Sequence, residues 1–152
     1  MNGPGDSIVV ERVSQPDPDD LAAIVALQAD SFTNPWTPEA LTTMLRSDIT
    51  HLYVVRKQEH EIVGFCACWL IETELHINTL AVSSRYRRQG IATRLVRFVL
   101  EATGADKATL EVRRSNLAAI DLYEKLGFQA TAVRERYYRN PDDDGLILWL
   151  NP

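Results

Sequence analysis

Leu80-Ala81-Val82 and, after a short connection, Arg87-Arg88-Gln89-Gly90-Ile91-Ala92 form the stretch on which the fold turns. An apolar strand runs into a basic, glycine-containing turn. The turn opens an amphipathic helix, expected from Gln89 to about Glu101, with Ile91, Leu95, Phe98 and Val99 on its apolar face. Backbone N–H groups in a first helical turn lack intrahelical partners and sit at the positive end of the dipole, so they can hold a phosphate. Gly90 lets the backbone approach an anion closely, and small Ala92 keeps the next turn unobstructed. The stretch reads as a pyrophosphate cradle, with Thr93 completing the turn.

Working outward towards the N-terminus, Ile8 to Val13 reads as an opening strand. Asp17-Pro18-Asp19-Asp20 supplies a helix start, with Leu21, Ile24, Val25 and Gln28 on one face and Phe32 near the end. Asn34-Pro35 breaks that helix. Thr37 caps a second one carrying Leu41, Met44 and Leu45. Leu52 to Arg56, Ile62 to Ile71 and Glu74 to Val82 are rich in β-branched and aromatic residues, and their short connections predict an antiparallel meander. Towards the C-terminus, Lys107 to Val112 reads as a strand and Asn116 to Leu126 as a helix closed by Gly127. Strands near Gln129 to Glu135 and Leu146 to Leu150 then flank a polar loop holding Asn140-Pro141-Asp142-Asp143-Asp144-Gly145. This order is α+β with a mixed sheet, because strand–helix–strand crossovers favour parallel neighbours.

Two blocks carry a family resemblance. Arg87-x-x-Gly90-x-Ala92 resembles the acetyl-coenzyme A signature of the GNAT N-acetyltransferases, Arg/Gln-x-x-Gly-x-Gly/Ala. The run from Glu111-Val112-Arg113-Arg114-Ser115-Asn116 through Ala119-Ile120 to Leu122-Tyr123-Glu124-x-Leu126-Gly127-Phe128 resembles the RimI branch, the ribosomal-protein alanine N-acetyltransferases. Pro35-Trp36 and Arg136-Tyr137-Tyr138 fit the same branch, so the resemblance runs from about Ile8 to Leu150. It implies a GNAT fold: a mixed, mostly antiparallel sheet of about seven strands, four helices, and a parallel pair of strands that splays apart. Ala92 stands where the coenzyme turn more often has a second glycine, and Thr79 stands where RimI-type chains often carry asparagine. The Asn140 to Asp144 link departs from the RimI form as well. These changes bear on the acceptor more than on the reaction.

The resemblance also implies roles. Amides of Leu80, Ala81 and Val82 bind the pantetheine arm of acetyl-coenzyme A and polarise its thioester carbonyl, a placement of donors that is usually a large catalytic contribution. Arg88, Gln89, Gly90, Ile91, Ala92 and Thr93 hold the pyrophosphate, Arg85, Arg87 and Arg88 add charge near the phosphates, and Asn116 and Tyr123 bind the coenzyme arm. Glu111 is the general base and Tyr123 the general acid, a tyrosine being protonated at neutral pH. Trp36, Tyr137 and Tyr138 border the acceptor. Read without the family, Glu111 is a strand residue on the face opposite Leu110 and Val112, Tyr123 a core aromatic on a helical stripe, and Asn116 a helix cap. The Asp142-Asp143-Asp144 run reads as a solvated turn or as an attractor of a basic tail.

The expected activity is acetyl transfer to the N-terminal alanine α-amine of a small-subunit ribosomal protein, directly, in a ternary complex. A GNAT enzyme acting on a small-molecule amine or lysine is one alternative, and a non-catalytic acyl-coenzyme A-binding module the other. The 152 residues are expected to form one domain, with the order of residues 1–7 left open. The net charge of −5 argues against general nucleic-acid binding. No apolar run is long enough to cross a bilayer and residues 1–7 lack a signal-peptide core, which points to a cytoplasmic protein. A monomer or weak dimer is expected. Cys66 and Cys68, one residue apart on a strand, read as small buried residues on one face. His51, His60 and His76 have no metal-ligand spacing, so no metal site is expected.

Overall fold

The structure, a computed structural model, describes residues 8–32, 35–58, 60–87 and 89–151. The chain runs β1 (Ile8–Arg12), α1 (Pro18–Ser31), α2 (Pro38–Leu45), β2 (Thr50–Lys57), β3 (Glu61–Ile71) and β4 (Glu74–Val82). A 3₁₀ turn at Ser84–Tyr86 leads to α3 (Ile91–Thr103), β5 (Lys107–Arg113), α4 (Leu117–Lys125), β6 (Gln129–Tyr138) and β7 (Asp143–Leu150). One sheet of seven strands has the order β1-β2-β3-β4-β5-β7-β6, with β4 and β5 parallel and every other pair antiparallel.

The helices start as their residues dictate. Asp17 accepts a hydrogen bond from Asp20 N at 2.8 Å and Thr37 accepts one from Ala40 N at 3.1 Å, each ahead of a proline in the first turn. Helices α1 and α2 cover one face of β2, β3 and β4, where Ile24, Leu27, Leu41, Leu52, Val54 and Phe65 form one core cluster. On the other face, Leu95, Val96 and Val99 of α3 pack with Cys66, Leu75, Ile77, Leu110, Tyr123, Phe128 and Leu148. Each such buried aliphatic or aromatic side chain contributes roughly 1.5–3 kcal/mol. Both cysteines are fully buried on one face, as small core residues.

Three expectations change. Helix α3 begins at Ile91 rather than Gln89, because Gly90 takes a left-handed conformation (φ 75°) that no helix continues through. Phe98 is 38% exposed and meets Tyr53 edge-on instead of joining the apolar face. The last hairpin is longer than its polar residues suggest, with Asp143, Asp144 and Gly145 inside β7. Asp143 accepts from the Ser115 hydroxyl and amide, while Asp144 takes the Arg136 amide at 3.0 Å and pairs with Arg114. Turn-forming carboxylates are thereby absorbed into the hairpin and tied to the loop after β5.

The feature that positions the site lies between β4 and β5. Their parallel pairing extends from Glu74↔Lys107 only to Ile77↔Leu110. Beyond it β4 stays with β3 up to Val82↔Gly64, while β5 stays with β7 through Arg113↔Gly145. The parting coincides with a bulge: Ala67 faces Thr79 and Cys68 faces Ile77, leaving Asn78 unpaired. A bulge bends its strand and re-aims the residues after it. Leu80 accordingly packs with the α3-side cluster and Ala81 with the α1-side cluster.

Candidate active site

The parted strands border a cleft of about 690 Å³. Leu80, Ala81 and Val82 form one wall and Asn116, Ala119 and Leu122 of α4 the other. Gly90, Ile91, Ala92 and Thr93 close one end, with Arg87, Ser31 and Phe32 at the rim. Beyond Ile77 no β5 partner occupies the edge of β4, so backbone groups on this wall are free for a ligand. Gly90 provides no side-chain cap to α3, and the first-turn amides stay available for an anion. A Cβ on Gly90 would meet no protein atom within 4 Å, so within the protein the glycine is required by its φ. Arg87 is fastened to the rim, its Nε donating to Val82 O and its Nη2 to the Ser31 hydroxyl, both at 3.3 Å.

Of the residues predicted to touch the coenzyme, Leu80, Ala81, Val82, Arg87, Gly90, Ile91, Ala92, Thr93 and Asn116 line this cleft. Asn116 also caps α4 by accepting from Ala119 N, so it both starts the helix and faces the cleft. Gln89 is exposed and does not line the cleft, and Arg88 lies outside the described residues. Arg85 stacks on the Tyr86 ring and does not line the cleft. Tyr123 is 6% exposed and sits behind the wall that Ala119 and Leu122 present, edge-on to Phe128. Burial, with a smaller contribution from Cys66, raises its hydroxyl well above the ordinary tyrosine value and keeps it protonated. Cys66 is raised too, by its hydrogen bond with Cys68 and then by burial. A protonated, fully buried thiol is a poor acyl acceptor.

Glu111 lies across the sheet from Tyr123, since its neighbours Leu110 and Val112 face the Tyr123 cluster. Its Oε1 pairs with Arg134 Nη2 at 3.3 Å. Interaction of the Tyr137 hydroxyl with Glu111, more than burial, raises the Tyr137 value. Burial and then the Glu111 charge push Tyr138 up to about 12. Arg134 lies over the Tyr137 ring at 5.1 Å and Arg113 over the Tyr138 ring at 4.7 Å. Arg113 also donates to Pro141 O and Arg139 O, pinning the hairpin end. Gly145 makes room for this group: a Cβ there would stand 3.1 Å from the Tyr137 ring. The fold thus brings Glu111, Tyr137 and Tyr138 together, and Trp36 is held by its amide to Gln28 Oε1 at 3.3 Å.

Sequence reasoning missed several residues. Ser31, Phe32, Ala119 and Leu122 line the cleft, but nothing local marks them for it. Arg134 meets Glu111 only because β7 lies between β5 and β6. Asn78 occupies the bulge, and its Nδ2 is buried with no partner among the described residues. Such a donor suits a ligand entering at the split. Among the described residues no cluster of three or more His, Cys, Asp or Glu could hold a metal ion, and no helix is long and apolar enough to cross a membrane.

A split between parallel strands above an uncapped helix start, with a protonated tyrosine behind one wall, defines an acyl-coenzyme A-dependent transferase. The sequence agrees: residues 21–128 match the acetyltransferase (GNAT) family, and the chain belongs to it. The protein is an N-acetyltransferase with acetyl-coenzyme A as co-substrate, as the coenzyme signature predicted. A Bacillus subtilis (strain 168) protein, provisionally named a ribosomal protein bS18-alanine N-acetyltransferase, is 32% identical over 136 residues, covering 87% of this chain and 89% of that protein. The ribosomal protein bS18-alanine N-acetyltransferase of Escherichia coli (strain K12) is 29% identical over 146 residues, with coverage of 93% and 97%. The crystal structure of the ribosomal-protein-S18-alanine N-acetyltransferase from Escherichia coli superimposes with a TM-score of 0.84 at 25% identity, covering 95% of this chain and 93% of that one.

Proposed function

We propose that the protein acetylates the N-terminal alanine α-amine of a small-subunit ribosomal protein, by direct transfer in a ternary complex. The observation that carries this reading is the split itself: β4 and β5 part after Ile77 and Leu110, next to Glu111 on one face of β5, with Tyr123 packed against the other face. The names of the relatives at 29–32% identity support the acceptor.

Acetyl-coenzyme A supplies an activated acyl group on a thiol leaving group. The β4 edge that β5 leaves uncovered along Leu80, Ala81 and Val82 orients the thioester and offers a donor where negative charge develops on the carbonyl oxygen. The amides of Ile91, Ala92 and Thr93, with Arg87 at the rim, hold the pyrophosphate. Asn116 contacts the coenzyme arm from the other wall. Glu111 takes the proton that the ammonium must lose, directly or through water. The amine nitrogen then bonds to the acyl carbon as the C–S bond breaks. Tyr123 presents its hydroxyl to the departing sulfur, which ends as a thiol, while the amine ends one proton poorer as an amide. The buried cysteines are suited to no acyl-enzyme step.

Chemistry favours an α-amine over lysine here. Its ordinary pKa is about 7.7–8.0 against about 10.4, a difference of roughly 3.5 kcal/mol in the cost of deprotonation. Arg134 reinforces the preference, because an ammonium approaching Glu111 also approaches a guanidinium. Trp36, Tyr137 and Tyr138 border the acceptor in this reading.

The test is acetyl transfer to a short peptide bearing the ribosomal protein's N-terminal sequence, against the same peptide with its α-amine blocked and a lysine free. Modification of the open N-terminus alone supports the reading. Preferential modification of the lysine, or transfer to neither peptide by protein that binds the coenzyme, rejects it.

A further inference from the structure

Gln28 stands out among the buried polar side chains. It is 1% exposed, on an α1 face otherwise filled by Ile24 and Leu27. A leucine would pack there without the cost of burying an amide, which is tolerated only when hydrogen-bonded. The amide is bonded at both ends. Nε2 donates to the Thr79 hydroxyl at 2.7 Å, and Oε1 accepts from Trp36 N at 3.3 Å. The backbone carbonyl of the same residue accepts from Phe32 N at 3.0 Å. The Phe32 bond is the ordinary helical one at the end of α1, so the Gln28 side chain ties Trp36, on the α1–α2 connection, to β4. Thr79 is itself 6% exposed, follows the bulged Asn78 and precedes the cleft wall at Leu80. The other two buried threonines, Thr50 and Thr109, donate to backbone carbonyls.

We infer that Gln28, through Thr79, is a positioning residue: it fixes Trp36 against the stretch of β4 that precedes the cleft wall. This inference rests on the proposed function, in which Trp36 borders the acceptor. A buried hydrogen-bonded amide specifies one geometry where an apolar side chain would tolerate several. Small misplacements of a bound nucleophile are costly in rate. The Gln28–Thr79 pair accordingly acts on the acceptor and leaves the coenzyme turn at Gly90, on a different element, undisturbed.

The experiment compares the wild type with Gln28→Leu, Thr79→Val and the conservative Thr79→Ser. It reads hydrogen exchange of the Trp36 amide, KM for the acceptor peptide, KM for acetyl-coenzyme A, and thermal midpoint. In Gln28→Leu, loss of the bond should speed Trp36 exchange and raise peptide KM, each about tenfold, with coenzyme KM changed less than about twofold. Thr79→Val should follow in the same direction and Thr79→Ser should match the wild type. A folded Gln28→Leu protein with wild-type peptide KM overturns the inference, as does a parallel rise in both KM values or a Thr79→Ser variant as impaired as Thr79→Val. If Gln28→Leu does not fold, Thr79→Val decides by the same measurements. Should wild-type protein transfer nothing to the peptide, the acceptor reading fails. Trp36 exchange then decides alone: acceleration upholds the staple and an unchanged rate removes it.

Discussion

Glu111 and Tyr123 are separated by the sheet and served by opposite environments. Glu111 is partly exposed and charge-compensated by Arg134, a setting in which a carboxylate can exchange protons with an incoming amine. Tyr123 is dry, and burial holds its proton. Glu111→Gln keeps the shape but removes the carboxylate proposed as the base, so kcat/KM for the peptide should fall by at least about 100-fold while coenzyme affinity holds. Tyr123→Phe removes one oxygen from a ring that still packs on Phe128. Its kcat should drop by about 100-fold with an unchanged melting temperature. Thiol release in steady state and a thermal melt check both variants. A Tyr123→Phe enzyme with full kcat would return that residue to a purely packing role.

Two backbone irregularities shape the site at the level of elements. The bulge at Asn78 turns β4 away from β5, and the left-handed Gly90 starts α3 with its first amides free. Gly90→Ala tests the backbone conformation, because the added methyl meets no protein atom within 4 Å. Holding an L-residue at positive φ costs about 1–2 kcal/mol. For a chain of this size that corresponds to a fall of roughly 2–8 °C in melting temperature. If the chain relaxes by moving the first turn of α3, the KM for acetyl-coenzyme A rises as well. Calorimetry and a coenzyme titration read the two effects separately. The β6–β7 hairpin follows the same logic: Arg136 takes a left-handed conformation (φ 53°) and its amide is caught by Asp144.

Across the whole molecule, one ionic clamp joins the start of α1 to the edge of the sheet. Arg56 of β2 holds Asp20 with two bonds of 3.0 Å each and also grips Glu11 of β1. The Arg56 hydrogen bond holds the Asp20 carboxyl below its ordinary value, against the opposing effect of burial. With the folded value depressed, this stabilisation is complete above the unfolded carboxylate value near ~3.9 and is lost as pH falls through the folded one. Asp20→Asn should cost about 2 kcal/mol at neutral pH. The variant should also lose stability less steeply than wild type below about pH 4. Urea melts at pH 7 and pH 3 test this, and equal acid slopes would remove Asp20 from the account. Saturation with acetyl-coenzyme A at about 100 times its Kd should stabilise the folded state by about 2.7 kcal/mol, a rise of roughly 5–11 °C.

The chain by itself determined most of the elements and many of the residues that line the cleft. Helix caps at Asp17 and Thr37, the strand alternation that sets Glu111 opposite Leu110 and Val112, and the basic glycine turn are local matters of backbone geometry and side-chain period. These are legible in a linear reading, as were Leu80 to Val82, Gly90 to Thr93 and Asn116 on the cleft. Only the tertiary structure decided what meets across elements: Arg134 on Glu111, Gln28 on Thr79, and Ser31 and Phe32 at the rim. The reason is physical. Strand order β5-β7-β6 places residues adjacent that are far apart in the chain. A one-residue bulge at Asn78 reverses the side-chain alternation that a regular strand would show, and no local pattern encodes either.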